Sequence, residues 1–219
     1  MLKVLVTGFE PFGTYIENSS WATAQQVVAQ GVIGVEFFLK IMPVSFQRVV
    51  AELRTAVDEV KPDLILMLGQ AALSNKIRLE RIAINLMDSK KGDNDGWVPD
   101  EEPIYPDESA ALFTNVPIKK LRAAIEEQGI PVEVSNSCGL YVCNRLYYEA
   151  LRLCNLTTPM KALFVHVPLY KGQTGDAKNV GMELQEMVRA VQQVIAFEVR
   201  NLPLRFGIHS SKIHCDTTI

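Results

Sequence analysis

The most informative stretch of this chain is VEVSNSCGLYVCNRLYYEALRLC, residues 132–154. A short β-branched run, Val132 to Val134, leads through a turn rich in Ser, Asn and Gly into a segment whose apolar residues recur at helical spacing. Such a strand, turn and helix are typical of α/β proteins. Because the same alternation recurs along the rest of the chain, the sequence predicts an α/β fold around a mostly parallel sheet.

Further elements are predicted on both sides of this stretch. Five more strands are expected from short β-branched or apolar runs: Lys3 to Thr7, Val35 to Met42, Leu64 to Leu68, Ile77 to Asn85 and Ala162 to His166. Three helices have recognisable ends or faces: Trp21 to Ala29 after the cap Asn18-Ser19-Ser20, Pro117 to Gln128 before Gly129, and Val180 to Val199. The segment from Asp88 to Glu108 has neither period and predicts a long functional loop.

Composition limits the class of protein. The chain has 219 residues, 48% of them hydrophobic and 21% charged, with a net charge of −3. These values predict one globular domain over residues 1–208, followed by a polar tail at 209–219 that is expected to be disordered. Neither nucleic acid nor a membrane is an expected partner, because the chain has no basic run and no apolar stretch of about 20 residues. We expect a cytoplasmic protein with its four cysteines as free thiols.

Cys143 is the first candidate nucleophile. It lies in or near the first turn of the helix predicted after the Ser/Asn/Gly turn, where free backbone N–H groups and the helix dipole lower the pKa of a thiol. The spacing alone leaves open a buried packing role, which is the commoner one for a free cysteine. Of the others, Cys138 lies in the turn, Cys154 is expected in the core, and Cys215 lies in the tail.

His166 is the only one of the three histidines outside the tail segment. It ends a buried strand, at the edge of an open sheet where ligands usually bind. The spacing alone is equally compatible with a catalytic histidine and with a core histidine whose hydrogen bonds are satisfied. A base also needs an orienting group. Glu80, in an otherwise apolar run, is the first candidate, and the alternatives are a surface pair with Arg78 or an orienting role for Asp93.

Two weaker patterns remain. The loop Thr7 to Gly13 follows the first strand but lacks the Lys-Ser/Thr of a phosphate loop, so we expect no nucleotide. Its Phe9 and Phe12 can line an apolar pocket or belong to the core. In the tail, His209, His214 and Cys215 are too few and too mobile for a predicted metal site.

Several motifs in the same order resemble those of the pyroglutamyl peptidase I family, over nearly the whole chain. The matching residues are VTGFEPFG (residues 6–13), Asn18 to Trp21, Gly69-Gln70-Ala71, Glu80 to Asn85, Asp93 to Gly96, the Ser137 to Asn144 turn, and Phe164 to Pro168. The resemblance implies a three-layer α/β/α sandwich, and a cytoplasmic cysteine exopeptidase that removes an N-terminal pyroglutamyl residue from peptides. It implies no metal or cofactor, and a homo-oligomer, with a tetramer expected.

The resemblance also implies roles for individual residues. Cys143 would be the nucleophile, His166 the general base and acid, and Glu80 the group that orients His166. The substrate-binding residues would be Phe9, Phe12, Gln70 and Tyr141.

The chain departs from the family pattern near Gly69-Gln70-Ala71. Ala72, Leu73 and Ser74 stand where Gly-Gly-Arg is usual, and Lys90 replaces an Arg. Cys138 and Leu140 replace Ala and Thr in the turn. Because a lost Arg removes a rigid set of donors, two alternatives stay open: a non-catalytic small-molecule-binding protein, and a related cysteine amidase with another acyl group.

Overall fold

The computed structural model describes residues 1–156, 159–173 and 181–201. Eight strands and five helices follow one another in this part of the chain: β1 (Leu2–Phe9), α1 (Ser19–Gln30), β2 (Val35–Met42), α2 (Arg48–Val60), β3 (Leu64–Gln70), β4 (Ile77–Glu80), β5 (Ile82–Ile84), β6 (Ala111–Phe113), α3 (Ile118–Glu126), β7 (Val132–Ser135), α4 (Val142–Leu156), β8 (Lys161–Val167) and α5 (Leu184–Arg200). The predicted tail at 209–219, with His209, His214 and Cys215, lies outside the described residues. The last helix begins at Leu184, so its predicted start at Val180 is wrong, since residues 181–183 are described and are not helical.

Six strands form one sheet in the order β2-β1-β3-β8-β4-β7. The pairs among β2, β1, β3 and β8 are parallel. β4 runs antiparallel to β8 and parallel to β7. The sheet is therefore mostly parallel and mixed, as predicted.

Helices cover both faces of this sheet. Strand side chains alternate between two hydrophobic cores, since successive residues of a strand point to opposite faces. On one face Val4, Leu66 and Val165 pack with α1, α3 and α5, and on the other Leu5 and Phe164 pack with α2 and α4. These layers form the α/β/α sandwich, so the expected fold class is confirmed. None of the described helices is long and apolar enough to cross a membrane.

The capping prediction for α1 is confirmed. The side chain of Asn18 accepts a hydrogen bond from the backbone N–H of Ser20 at 3.0 Å, so it satisfies a donor that has no partner within the helix. The helix begins at Ser19, two residues before the predicted start at Trp21.

The predicted strand Ile77 to Asn85 is wrong as a single element. β4 ends at Glu80, and β5 pairs with β6 in a separate two-stranded sheet. Between the two strands, the N–H of Arg81 donates to Ser135 and its carbonyl accepts from Thr114. The chain thus changes partners at Arg81, and a run of apolar residues does not reveal such a change. β6 was not predicted.

Candidate active site

Glu80 and His166 form a buried pair. Glu80 ends β4 and His166 is the sixth residue of β8, and the antiparallel register of these strands brings the two side chains to the same face. The Nδ1 atom of His166 lies 2.8 Å from Oε1 of Glu80, and Glu80 is 0% exposed. The alternative surface pair with Arg78 does not form, because Arg78 contacts Glu133 and Ser135 instead.

The ring of His166 is held by close packing. It lies against Phe164, with 4.8 Å between ring centroids. On the neighbouring strand, a Cβ added to Gly69 would come within 2.7 Å of the Phe164 ring and 2.9 Å of Cδ2 of His166. Only glycine leaves that space free. Since Nδ1 is bonded to Glu80, Nε2 is the ring nitrogen available for proton transfer.

Cys143 is the second residue of α4, as the sequence predicted, and it is partly exposed. Its electrostatics differ from the expectation. Burial, followed by the negative charge of Glu80, raises the pKa of the Cys143 thiol to about 12. The predicted lowering of this pKa is therefore wrong, because desolvation and the charge of Glu80 outweigh the effect of the helix start. Among the described residues no hydrogen bond joins Cys143 to His166.

A small cavity brings Cys143 together with the four residues predicted to bind substrate. It encloses about 270 Å³ of empty space, part of it open to solvent. Its lining consists of Phe9, Phe12, Asn18, Val44, Gln70, Tyr141, Val142 and Cys143. Most of these side chains are apolar or aromatic, and such a cavity suits a compact ligand with few polar groups.

Gln70 supplies a polar group to this cavity. Its Oε1 lies 2.8 Å from the backbone N–H of Ser19 and 2.8 Å from Nε2 of Gln173. A backbone N–H can only donate, so the atom facing Ser19 must be the amide oxygen. The Nε2 atom of Gln70 is buried and has no hydrogen-bond partner among the described residues. A residue that lines the cavity therefore has an amide whose orientation is fixed and whose buried donor makes no hydrogen bond within the described residues.

Three positioning residues were missed from the sequence. Two of them, Ser19 and Gln173, fix the Gln70 amide. The third is Asn144, fully buried next to Cys143. Its side chain accepts from the N–H of Ile84 at 2.9 Å and donates to the carbonyls of Ile84 and Leu86. It thereby ties the start of α4 to β5.

The long loop contacts the site through Tyr141. Tyr141 donates from its hydroxyl to the carbonyl of Gly92 at 3.0 Å. Asp93 is buried, and its carboxylate accepts from the backbone N–H groups of Phe46, Asp95 and Trp97. Asp93 therefore organises the loop, and its role as the group that orients His166 is not supported.

The other described cysteines are buried. The Sγ atom of Cys138 lies 3.5 Å from Oδ1 of Asn144, and burial raises the pKa of the Cys138 thiol well above its ordinary value. Cys154 is 4% exposed, and burial raises its pKa to about 12. Both have the environment of packing residues. Within the described residues no three His, Cys, Asp or Glu side chains are grouped so as to hold a metal ion.

The chain is similar to known proteins over nearly its whole length. The family model described as pyroglutamyl peptidase matches residues 2–201. A protein of Thermococcus onnurineus named pyrrolidone-carboxylate peptidase is 39% identical over 195 residues, which are 89% of this chain and 97% of the relative. A protein of the same name from Yersinia pestis is 37% identical over 202 residues, 91% of this chain and 94% of the relative.

Solved structures give the same result. Pyrrolidone carboxyl peptidase from Fervidobacterium islandicum superposes with a TM-score of 0.87 at 36% identity and covers 91% of this chain and 99% of its own. Pyroglutamyl peptidase I from Bacillus amyloliquefaciens superposes with a TM-score of 0.83 at 33% identity, over 88% and 92% of the two chains. With a family model that spans nearly its full length and relatives of similar size, this chain belongs to the pyroglutamyl peptidase family of cysteine peptidases.

Proposed function

We propose that the protein hydrolyses the peptide bond that follows an N-terminal pyroglutamyl residue, with Cys143 as nucleophile, His166 as general base and acid, and Glu80 as the group that orients His166. The observation that carries this proposal is the shared cavity, in which the thiol of Cys143 and the unpartnered amide donor of Gln70 lie among aromatic side chains. The buried pair of Glu80 and His166 supports it.

The cavity suits a lactam ring. Phe9, Phe12 and Tyr141 offer flat apolar surface to the ring carbons, and Nε2 of Gln70 donates to the ring carbonyl. A free N-terminal amine is charged and would lose its hydration in the same place without a compensating acceptor. The site therefore favours the uncharged pyroglutamyl group over an ordinary peptide N-terminus.

Acylation begins when Nε2 of His166 takes the proton from the Cys143 thiol. The sulfur then attacks the carbonyl carbon attached to the lactam ring, and the oxyanion forms beside the first turn of α4, where helical N–H groups lack acceptors within the helix. The N–H of Cys143 offsets only part of the effect of burial and of Glu80, which together raise the pKa of this thiol. His166 next gives its proton to the departing amine, which frees the rest of the peptide.

Deacylation reverses these roles. His166 takes a proton from a water molecule, the hydroxide attacks the thioester carbonyl, and the proton returns to the sulfur as pyroglutamate leaves. Throughout the cycle Glu80 holds the ring through Nδ1 and stabilises the imidazolium. The raised pKa of the Cys143 thiol fits this order of steps, because the proton stays on the sulfur until His166 accepts it during the attack.

The alternatives rested on the departures from the family pattern. Ser74 donates from its hydroxyl to the carbonyl of Lys76 within a surface turn, and Lys90 is exposed. Neither residue lines the cavity with Cys143. Their position supports the peptidase over a non-catalytic binding protein, and an amidase for a different acyl group is separated from it by the substrate test below.

Gln70→Glu is the first test of substrate recognition. Glutamate keeps the oxygen that accepts from Ser19 and Gln173 but removes the two donors, so we expect kcat/KM for a pyroglutamyl coumarylamide to fall by about 100-fold. The measurement is steady-state hydrolysis under reducing conditions. Gln25→Glu, at an exposed position of α1, is the matched control and should leave kcat/KM unchanged. No turnover by a folded wild-type protein would contradict the proposed function.

The pH dependence of alkylation tests the proton transfer. Because burial and Glu80 raise the pKa of Cys143 to about 12, its thiol is protonated at neutral pH, and a thiol without a base reacts tenfold faster with each pH unit. We expect the alkylation rate of Cys143 to rise clearly less than tenfold per pH unit between pH 6 and 9, because His166 accepts its proton. In His166→Ala the rate should rise tenfold per pH unit. Iodoacetamide labelling read by mass spectrometry measures both. Equal slopes in the two proteins would contradict a role for His166 as the base.

Two implications of the family resemblance remain predictions. The three described cysteines are all free thiols, which supports a reducing compartment such as the cytoplasm. The homotetramer is tested by light scattering of the purified protein.

A further inference from the structure

A second, larger cavity lies at the same edge of the sheet. It encloses about 970 Å³ of empty space and is more open to solvent than the cavity beside Cys143. Its lining consists of Ala71, Ala72, Leu73, Ser74, Asn75, Lys76, Arg78 and Glu133. Most of these residues belong to the turn between β3 and β4, which directly follows Gln70.

The strand order places His166 between the two cavities. Phe9 and Gln70, at the ends of β1 and β3, line the first cavity, whereas Arg78 of β4 and Glu133 of β7 line the second. His166 is on β8, between β3 and β4. Arg78 lies opposite His166 in the register, and Glu133 lies opposite Arg78, so the three side chains share one face of the sheet.

We propose that the second cavity binds the leaving part of the substrate, the two or three residues after the pyroglutamyl group, and that Lys76 recognises the C-terminal carboxylate of such short peptides. This inference rests on the proposed function. His166 must protonate the departing nitrogen. When the ring of a peptide occupies the first cavity, the bond to be cleaved must therefore lie beside His166, and the residues that follow extend beyond it. The second cavity begins one strand beyond that point.

Distances and charge support this occupant. Strands lie about 4.8 Å apart and an extended peptide advances about 3.3 Å per residue, so two or three residues span β4 and β7. Arg78 is paired with Glu133, with 3.3 Å between Nε and Oε1. Lys76 is exposed and has no ion pair among the described residues, so its positive charge is available to a carboxylate. Leu73 is fully exposed at the rim and offers apolar surface to a substrate side chain.

The test compares three substrates at low salt: pyroglutamyl-Ala-Ala with a free carboxylate, the same peptide as its C-terminal amide, and the pyroglutamyl coumarylamide. For the wild-type protein we expect kcat/KM to be about threefold higher for the free carboxylate than for the amide, in the range of an exposed ion pair. Lys76→Gln should abolish this preference, and high salt should weaken it. Lys119→Gln, at an exposed position of α3 on the other side of the sheet, is the matched control and should keep the preference.

A second variant, Leu73→Asp, places a negative charge at the rim and should reverse the preference. The inference is overturned if the wild-type protein hydrolyses both peptides equally, or if Lys76→Gln keeps the preference. Hydrolysis of the coumarylamide by the wild-type protein separates the two proposals, because this substrate has no carboxylate. Its turnover together with equal hydrolysis of the two peptides would overturn the inference and leave the proposed function standing. Loss of coumarylamide turnover in the wild type would instead overturn the proposed function.

Discussion

Cys143→Ala is expected to lower kcat for a pyroglutamyl coumarylamide by at least about 10⁴-fold, because the variant has no atom that can form the acyl-enzyme. Binding should change little. The cavity keeps its aromatic walls and Gln70, so the dissociation constant of free pyroglutamate, measured by calorimetry, should stay within a few-fold of the wild-type value.

The control for this variant is Cys154→Ala. Cys154 is buried in the same helix, outside the cavity, and its removal should cost stability through lost packing while kcat stays near the wild-type value. Thermal unfolding followed by circular dichroism separates the two effects. Activity in Cys143→Ala above about one tenth of wild type would remove Cys143 from the mechanism, whatever the stability of the variant.

Glu80→Gln is expected to lower kcat by about 100-fold or more, because a neutral amide can bond Nδ1 of His166 in the wrong tautomer and stabilises the imidazolium less well. The same substitution should lower the pKa of Cys143, since the charge of Glu80 is one cause of its elevation. The protein would then have a more acidic thiol and a slower reaction. Alkylation rates against pH give the first quantity, and steady-state kinetics give the second.

Glu198→Gln is the matched control, because it also neutralises a buried carboxylate. Glu198 is 4% exposed, and its Oε2 atom lies 2.6 Å from Nζ of Lys161. Glu198 does not line the cavity that contains Cys143. Its substitution should lower the unfolding temperature and leave kcat unchanged. A Glu80→Gln variant that keeps wild-type kcat would show that His166 needs no orienting carboxylate.

The layers of the fold were predictable because hydrophobic period and capping are local properties. The strand from Lys3 and the cap at Asn18 were recognised in this way. The break at Arg81 was not, since it depends on contacts with Ser135 and Thr114, which are distant in sequence. The expected single strand therefore concealed the end of β4 at Glu80.

The site was predictable in part for the same reason. The position of Cys143 at a helix start follows from the Ser/Asn/Gly turn, but the sign of its pKa shift depends on burial and on Glu80, which the antiparallel strand β4 brings nearby. The orientation of the Gln70 amide is set by Ser19 and Gln173, which are 51 and 103 residues away. No local pattern contains that information.

The most direct test of the central proposal is to trap the acyl-enzyme. Acid quenching of the wild-type protein within the first turnover of a pyroglutamyl coumarylamide, followed by peptide mass spectrometry, should find one pyroglutamyl group as a thioester on Cys143. In Glu80→Gln, where deacylation is expected to be slower, the pyroglutamyl group should still be found on Cys143. A pyroglutamyl group on Cys138 or Cys154, or turnover with no covalent intermediate at any quench time, would contradict Cys143 as the nucleophile.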